Sequence, residues 1–150
     1  VDIWLPDLKY FSSDLSARYS SAPDYFHVAT AAIAEMFRQT PAAVFDPRTG
    51  LMRRGIIVRH LMLPGQAADS KKILRYLHTT YGDAIYISIM NQYTPLAGVS
   101  ELPELNRRVT PEEYRRVLDF ADRIGIENGF MQEDGTAAES FIPPFDYEGI

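Results

Sequence analysis

Ile56-Ile57-Val58-Arg59-His60-Leu61-Met62-Leu63 is closed by Pro64-Gly65 and followed by a helical pattern from about Asp69 to Tyr81. The apolar run shows no strict in–out alternation, as expected of a strand covered on both faces. In the helix that follows, Ile73, Leu74 and Leu77 fall on one face, and Gly82 stands where a C-terminal cap belongs. A second apolar run, Ile85-Tyr86-Ile87-Ser88-Ile89-Met90, comes next. Strand, helix, strand in this order predicts a right-handed crossover and a parallel sheet.

Working outward, the pattern repeats on both sides. Asp2 to Lys9 reads as a strand, and a polar loop holding Ser12, Ser13, Asp14 and Ser20 follows it. Ser21-Ala22-Pro23-Asp24 reads as a helix start, with Ser21 as cap. Val28, Ala31, Ala32, Met36 and Phe37 recur at helical spacing and are expected to face inward, until Pro41 ends the helix. Pro41 to Gly55 reads as a loop or short hairpin. Downstream, a long polar loop with Pro95, Gly98 and Pro103 leads to Thr110-Pro111-Glu112-Glu113, a capping box with Pro at the first helical position. That helix runs to about Ile124, Gly125 stops it, and Gly129 to Gln132 reads as a short strand. The expected fold class is α/β, with parallel strands and flanking helices. Either a small open sheet or part of a barrel satisfies the pattern.

Composition narrows the function. The chain has 150 residues, is 46% hydrophobic and carries a net charge of -5. One domain with a real core fits, and a general nucleic-acid binder, which needs a basic surface, does not. Lys71, Lys72 and Arg75 form a small basic cluster that reads as a solvated helix face. No apolar run reaches the roughly 18 residues of a membrane span, and no signal-peptide pattern is present, so a cytoplasmic location is expected. The chain has no cysteine. Disulfides, a thiol nucleophile and thiolate-bound metal centres are excluded within these residues. His27, His60 and His78 are too scattered to form a metal motif. The chain opens directly on a strand without an initiator Met, which suggests a preceding part.

In parallel α/β folds, chemistry belongs at the C-terminal ends of the strands. Ile3, Leu5, Asp7 and Lys9 alternate onto one face, ending in an acid and a base. Arg59 lies among aliphatics, so it needs a partner such as Asp7 or Glu133, or a polar cavity that would take a carboxylate or phosphate. His60 points the other way and reads as a satisfied structural histidine. Asn91-Gln92-Tyr93 ends the third strand, and Gln132-Glu133 the fourth. Four successive strands thus place polar groups at one end, a pocket suited to a ligand bearing a carboxylate. No catalytic set is evident: Ser88 and Ser140 lack spaced His and Asp partners, and no glycine-rich phosphate loop is present.

These residues resemble a known family. D-I-W-L-P-D-L-K (Asp2 to Lys9) and R-H-L-M-L-P-G (Arg59 to Gly65) resemble the fourth and fifth strand motifs of pyruvate formate-lyase activating enzymes. Y-I-S-I-M-N-Q-Y-T-P (Tyr86 to Pro95), P-E-L-N-R-R-V-T (Pro103 to Thr110), G-I-E-N-G-F-M-Q-E (Gly125 to Glu133) and I-P-P-F-D (Ile142 to Asp146) resemble a related branch of radical S-adenosylmethionine proteins. The resemblance implies the C-terminal half of a partial (β/α)6 barrel over residues 1–150, with the N-terminal cluster-binding half absent. It implies S-adenosylmethionine and a [4Fe–4S] cluster on a C-x-x-x-C-x-x-C loop, yielding a 5′-deoxyadenosyl radical that abstracts hydrogen, in activating enzymes from a glycine of a partner enzyme. By position, Asp7 would help hold a monovalent cation, and Lys9 and Arg59 would lie near the methionine carboxylate. Asn91 and Gln92 stand where activating enzymes place a histidine, and Pro6 replaces the usual apolar residue. The implied partners are a glycyl-radical enzyme and a reductant such as flavodoxin or ferredoxin, with no nucleic acid and no membrane. This chain alone would not make the radical, and it would expose a sheet edge through which it can dimerise. The competing reading is a stand-alone, non-catalytic α/β module that binds a small anion.

Overall fold

A computed structural model describes residues 2–93, 103–131 and 139–140. The elements in chain order are β1 (Ile3–Trp4), α1 (Ser13–Ser20), α2 (Tyr25–Gln39), β2 (Val44–Phe45), β3 (Met52–Leu61), α3 (Ala67–Tyr81), β4 (Tyr86–Met90), α4 (Pro111–Arg123), β5 (Gly129–Met131) and β6 (Glu139–Ser140). The sheet order is β1-β3-β4-β5-β6, with β2 paired to the start of β3. β1, β3, β4 and β5 are mutually parallel, whereas β2 and β6 are antiparallel to their neighbours.

The central βαβ unit follows the sequence closely. Ile73, Leu74 and Leu77 are fully buried, and Gly82 caps α3 with φ +57. At α4 both halves of the capping box form: Thr110 Oγ1 accepts from Glu113 N–H, and Glu113 accepts from Thr110 N–H. Pro41 to Gly55 is the short hairpin, formed by β2 and the first residues of β3.

Three expectations need correction. The polar stretch after β1 is a helix, α1, not a loop. Ser12 Oγ accepts from Leu15 N–H, and Asp14 sits in the positive first turn. Its serines favour caps and turns over helix interiors, which masks the helix in the sequence. Ser21 is therefore not the cap of α2. It closes α1 in the left-handed region at φ 54, and Asp24 precedes α2 without a side-chain cap bond. The buried face of α2 is also shifted. Ile33 is its buried residue, with Phe26, Ala29, Met36 and Phe37 packed against the core, while Val28, Ala31 and Ala32 are exposed.

The two faces of the sheet differ. On one, Leu8, Ile56, Val58, Ile87 and Ile89 pack against Ile33, Ile73, Leu74, Leu77, Val117 and Ala121 of the helices. On the other, Met52, Ile57, Tyr86 and Phe130 form a smaller cluster with Ile3, Ala43 and Phe45, without a helical residue. Phe45 meets Tyr86 edge-on there and Tyr86 stacks on Phe130, with ring centroids 5.7 and 5.9 Å apart. The described helices therefore cover one face of the sheet.

Candidate functional site

Register partners on neighbouring strands share a face. Asp7 pairs with Arg59, Arg59 with Ser88, and Ser88 with Phe130. These four residues thus form a row across the helix-free face that begins at Phe130 of the aromatic cluster. The row sits towards the C-terminal ends of the parallel strands, where the sequence placed a pocket.

Arg59 finds its partner in Asp7, one of the two acids named from sequence. Arg59 Nε donates to Asp7 Oδ1 at 2.8 Å. The side chains remain 45% and 41% exposed. At that exposure the pair contributes at most about 1 kcal/mol to stability. Its consequence is orientation: the Nε bond fixes the plane of the guanidinium, and its terminal nitrogens have no partner among the described residues. Such a fork can take a planar carboxylate.

The other expected residues gather only in part. Lys9 is exposed on the same strand end, and its backbone N–H donates to Tyr25 Oη at 2.9 Å. Gln92 is exposed. Asn91 is half-buried, and its Oδ1 is a buried acceptor without a partner among the described residues. Gln132 and Glu133 lie outside the described residues.

His60 behaves as a structural histidine. It is buried; Nδ1 donates to Leu8 O at 2.8 Å, and Nε2 accepts from Ser70 Oγ at 2.7 Å. A carbonyl can only accept, so a proton sits on Nδ1. Burial pushes its pKa below the usual histidine value. Asp69 beside Ser70 accepts from Phe11 and Ser12 N–H, both at 2.9 Å. A Ser–His–Asp triad is excluded here, because Ser70 and His60 are 2% exposed and the acid bonds backbone rather than imidazole. The set ties the end of β1 to β3 and the start of α3.

Sequence reasoning missed a cluster between the N-terminal ends of α3 and α4. A cleft of about 480 Å³ is lined there by Gly65, Ala67, Ala68, Arg107, Thr110, Glu113 and Arg116. Glu113 Oε1 accepts from Arg107 Nη1 at 2.7 Å and from Thr110 N–H at 2.9 Å, and Oε2 accepts from Gly65 N–H. The Arg107 guanidinium, chiefly, holds the Glu113 carboxyl down at about 2 against the opposing effect of burial. The capping box was the legible signal. The link to Gly65, across the gap to the neighbouring helix, had none. The Lys71–Arg75 cluster lies over aromatic rings: Lys71 and Arg75 on Phe120, Lys72 on Phe11. No His, Asp or Glu group suited to a metal ion occurs among the described residues, and none of their helices is long and apolar enough to cross a membrane.

No family model matches the chain, and no solved structure matches it. Among curated proteins it is similar to an uncharacterized protein of Methanocaldococcus jannaschii, with 25% identity over 128 residues. The match covers 85% of this chain and 33% of that protein. The chain thus spans about a third of the length of the curated relative it matches.

Proposed function

We propose that these residues are the C-terminal half of a radical S-adenosylmethionine domain resembling pyruvate formate-lyase activating enzymes, and that their helix-free sheet face supplies one wall of the S-adenosylmethionine site. The observation that carries this reading is the Asp7–Arg59 pair, half-exposed at the C-terminal ends of adjacent parallel strands. The proposed finer architecture is part of a partial (β/α)6 barrel. Its support is that β1, β3, β4 and β5 step across the sheet in one direction, with helices packed on one face. In a barrel the helix-free face is the interior, and the strand C-termini are where chemistry sits.

The residues present fit a methionine carboxylate in part. Arg59 offers its terminal nitrogens to the carboxylate, and Asp7 orients it. Lys9 adds a second cation at the same strand end, while Asn91 Oδ1, an acceptor, suits a donor such as the ligand's amino group rather than its carboxylate. Asp7 Oδ2 stays available to a monovalent cation. With no cysteine in the chain, any [4Fe–4S] cluster must be held by another part of the protein. Bound together, cluster and S-adenosylmethionine would supply hydrogen-abstraction chemistry, with a glycyl-radical enzyme as target, flavodoxin or ferredoxin as electron source, and a cytoplasmic setting.

Calorimetric titration of S-adenosylmethionine into the cluster-loaded full-length protein tests the reading. Arg59→Ala should weaken binding by about 1.5–3 kcal/mol, on the order of 10- to 100-fold, through loss of a charge-assisted pair. Unchanged affinity refutes it. Equally tight binding of the ligand by the isolated 150-residue chain would instead favour a stand-alone anion-binding module.

A further inference from the structure

The segment Asp7-Leu8-Lys9 continues β1 and is bonded from both sides. On the β3 side, Leu8 N–H donates to Arg59 O at 2.9 Å, and Leu8 O accepts from His60 Nδ1 at 2.8 Å. Backbone groups alternate along a strand, so the Asp7 carbonyl and the Lys9 N–H point the other way. There one atom serves both. Tyr25 Oη donates to Asp7 O at 3.1 Å and accepts from Lys9 N–H at 2.9 Å. A phenol hydroxyl can do this because it donates and accepts at once, whereas a carboxylate only accepts and an ammonium only donates. A single side chain thus does for this segment what a neighbouring strand does elsewhere in a sheet.

The hydroxyl is itself held in place. Tyr25 is the first residue of α2. It directly follows the turn in which Ser21 takes φ 54 and Tyr25 N–H donates to Ala22 O at 3.0 Å. Its ring meets that of Tyr10 edge-on, with centroids 5.4 Å apart. Tyr10 is buried, and its Oη shares a 2.9 Å hydrogen bond with Ser20 Oγ at the end of α1. Partial burial raises the Tyr25 pKa, so the proton that the Asp7 carbonyl accepts stays in place at neutral pH.

The consequence falls on two side chains. Leu8 is fully buried. With its backbone fixed on both edges, Asp7 and Lys9 are turned together onto the opposite, exposed side. Asp7 has a second restraint in the Arg59 ion pair. The Lys9 ammonium has no partner among the described residues, so its direction is set where the side chain leaves the backbone, at an amide that Tyr25 holds. Two residues along a strand span about 6.6 Å, a distance that an extended lysine side chain covers.

We propose that Tyr25 is a positioning residue for the S-adenosylmethionine carboxylate: by gripping the backbone on either side of Leu8, its hydroxyl aims the Lys9 ammonium at the carboxylate that Arg59 takes. The assignment rests on the S-adenosylmethionine reading above, and Tyr25 acts through Lys9 rather than by contact with the ligand.

Tyr25→Phe removes the hydroxyl and keeps the ring against Tyr10. Two measurements on the full-length protein test the assignment. Hydrogen exchange reads the grip without any ligand: the Lys9 amide should exchange roughly tenfold faster in the variant, while the Leu8 amide, bonded to Arg59 O, is unchanged. Calorimetric titration of the cluster-loaded protein reads the consequence. S-adenosylmethionine should bind roughly 3- to 10-fold more weakly to the variant, and its decarboxylated analogue equally to variant and parent. In a Lys9→Met background the same substitution should change affinity by less than about twofold, because the effect runs through that ammonium. An unchanged Lys9 amide, an equal loss for the two ligands, or a full loss in the Lys9→Met background overturns the assignment; the last two mark a merely structural role. Binding that falls with Arg59→Ala and ignores Tyr25→Phe removes this assignment alone. A parent protein that does not bind S-adenosylmethionine removes that reading, and this assignment with it.

Discussion

Glu113 should be an electrostatic support of the fold, and Glu113→Gln tests that role through its pH dependence. The substitution keeps size, removes the charge facing Arg107, and keeps an acceptor for only one of Thr110 and Gly65 N–H, which bond different oxygens of the carboxylate. The carboxyl is held at about 2, against an ordinary value of 4.5. At about 1.4 kcal/mol per pH unit, this drop corresponds to roughly 3 kcal/mol of stability at neutral pH. Glu113 is 10% exposed but Arg107, the chief cause of the shift, is 46% exposed, so solvent screening reduces the contribution to about 1–2 kcal/mol. The sign follows from linkage. A carboxyl with a depressed folded pKa contributes fully above its unfolded value, and loses the contribution as pH falls from about 4.5 through about 2. Urea denaturation followed by circular dichroism, at pH 7 and again at pH 3, measures both effects. Expected is a loss of about 1–2 kcal/mol in the variant at pH 7 that shrinks clearly at pH 3. A variant as stable as the parent at pH 7, or a difference that ignores pH, would refute the reasoning.

His60 should give the opposite acidic signature to an ion-paired base. Its pKa is depressed on folding, so stability should fall as pH drops below the unfolded value of about 6.5. His60→Gln should be less stable at pH 7.5 and lose that part of the slope between pH 7.5 and 5 in urea titrations; an unchanged slope argues against burial of a neutral ring. Gly125 ends α4 at φ +91. Gly125→Ala should cost about 1–2 kcal/mol by thermal denaturation, because a side chain is strained in that conformation; a neutral effect contradicts the backbone geometry. Leu74→Ala, at a fully buried position, should cost about 2–5 kcal/mol in the same assay, and a smaller loss would place Leu74 outside the core.

Where local rules and burial agreed, the fold was legible. Ile73, Leu74 and Leu77 announced one face of α3, and Thr110 to Glu113 announced the start of α4, because their signals lie within a few residues of one another. The serines of α1 misled because the same hydroxyls that cap helices also make turns. The α2 face misled for a different reason. Periodicity reports which residues are apolar, not which side has a neighbour, and Val28 and Ala32 have none among the described residues. The Arg59–Asp7 pair was readable as one of two options because both residues alternate onto one face. Glu113 to Gly65 was not, since no local pattern links positions 48 residues apart. Asn91 and Gln92 were placed at a strand end by sequence, but only Asn91 is turned in.

The bonds that tie β1 to the rest of the sheet also set a delay. His60 meets the Leu8 carbonyl across 52 positions of sequence, and Asp69 reaches Phe11 across 58. During synthesis, β1 leaves the ribosome with no β3 to join. At about 5–20 residues per second, that gap lasts roughly 3–12 s. For those seconds Trp4, Leu5 and Leu8 form an apolar segment of nascent chain whose β3-facing edge is open, a natural substrate for a ribosome-bound chaperone.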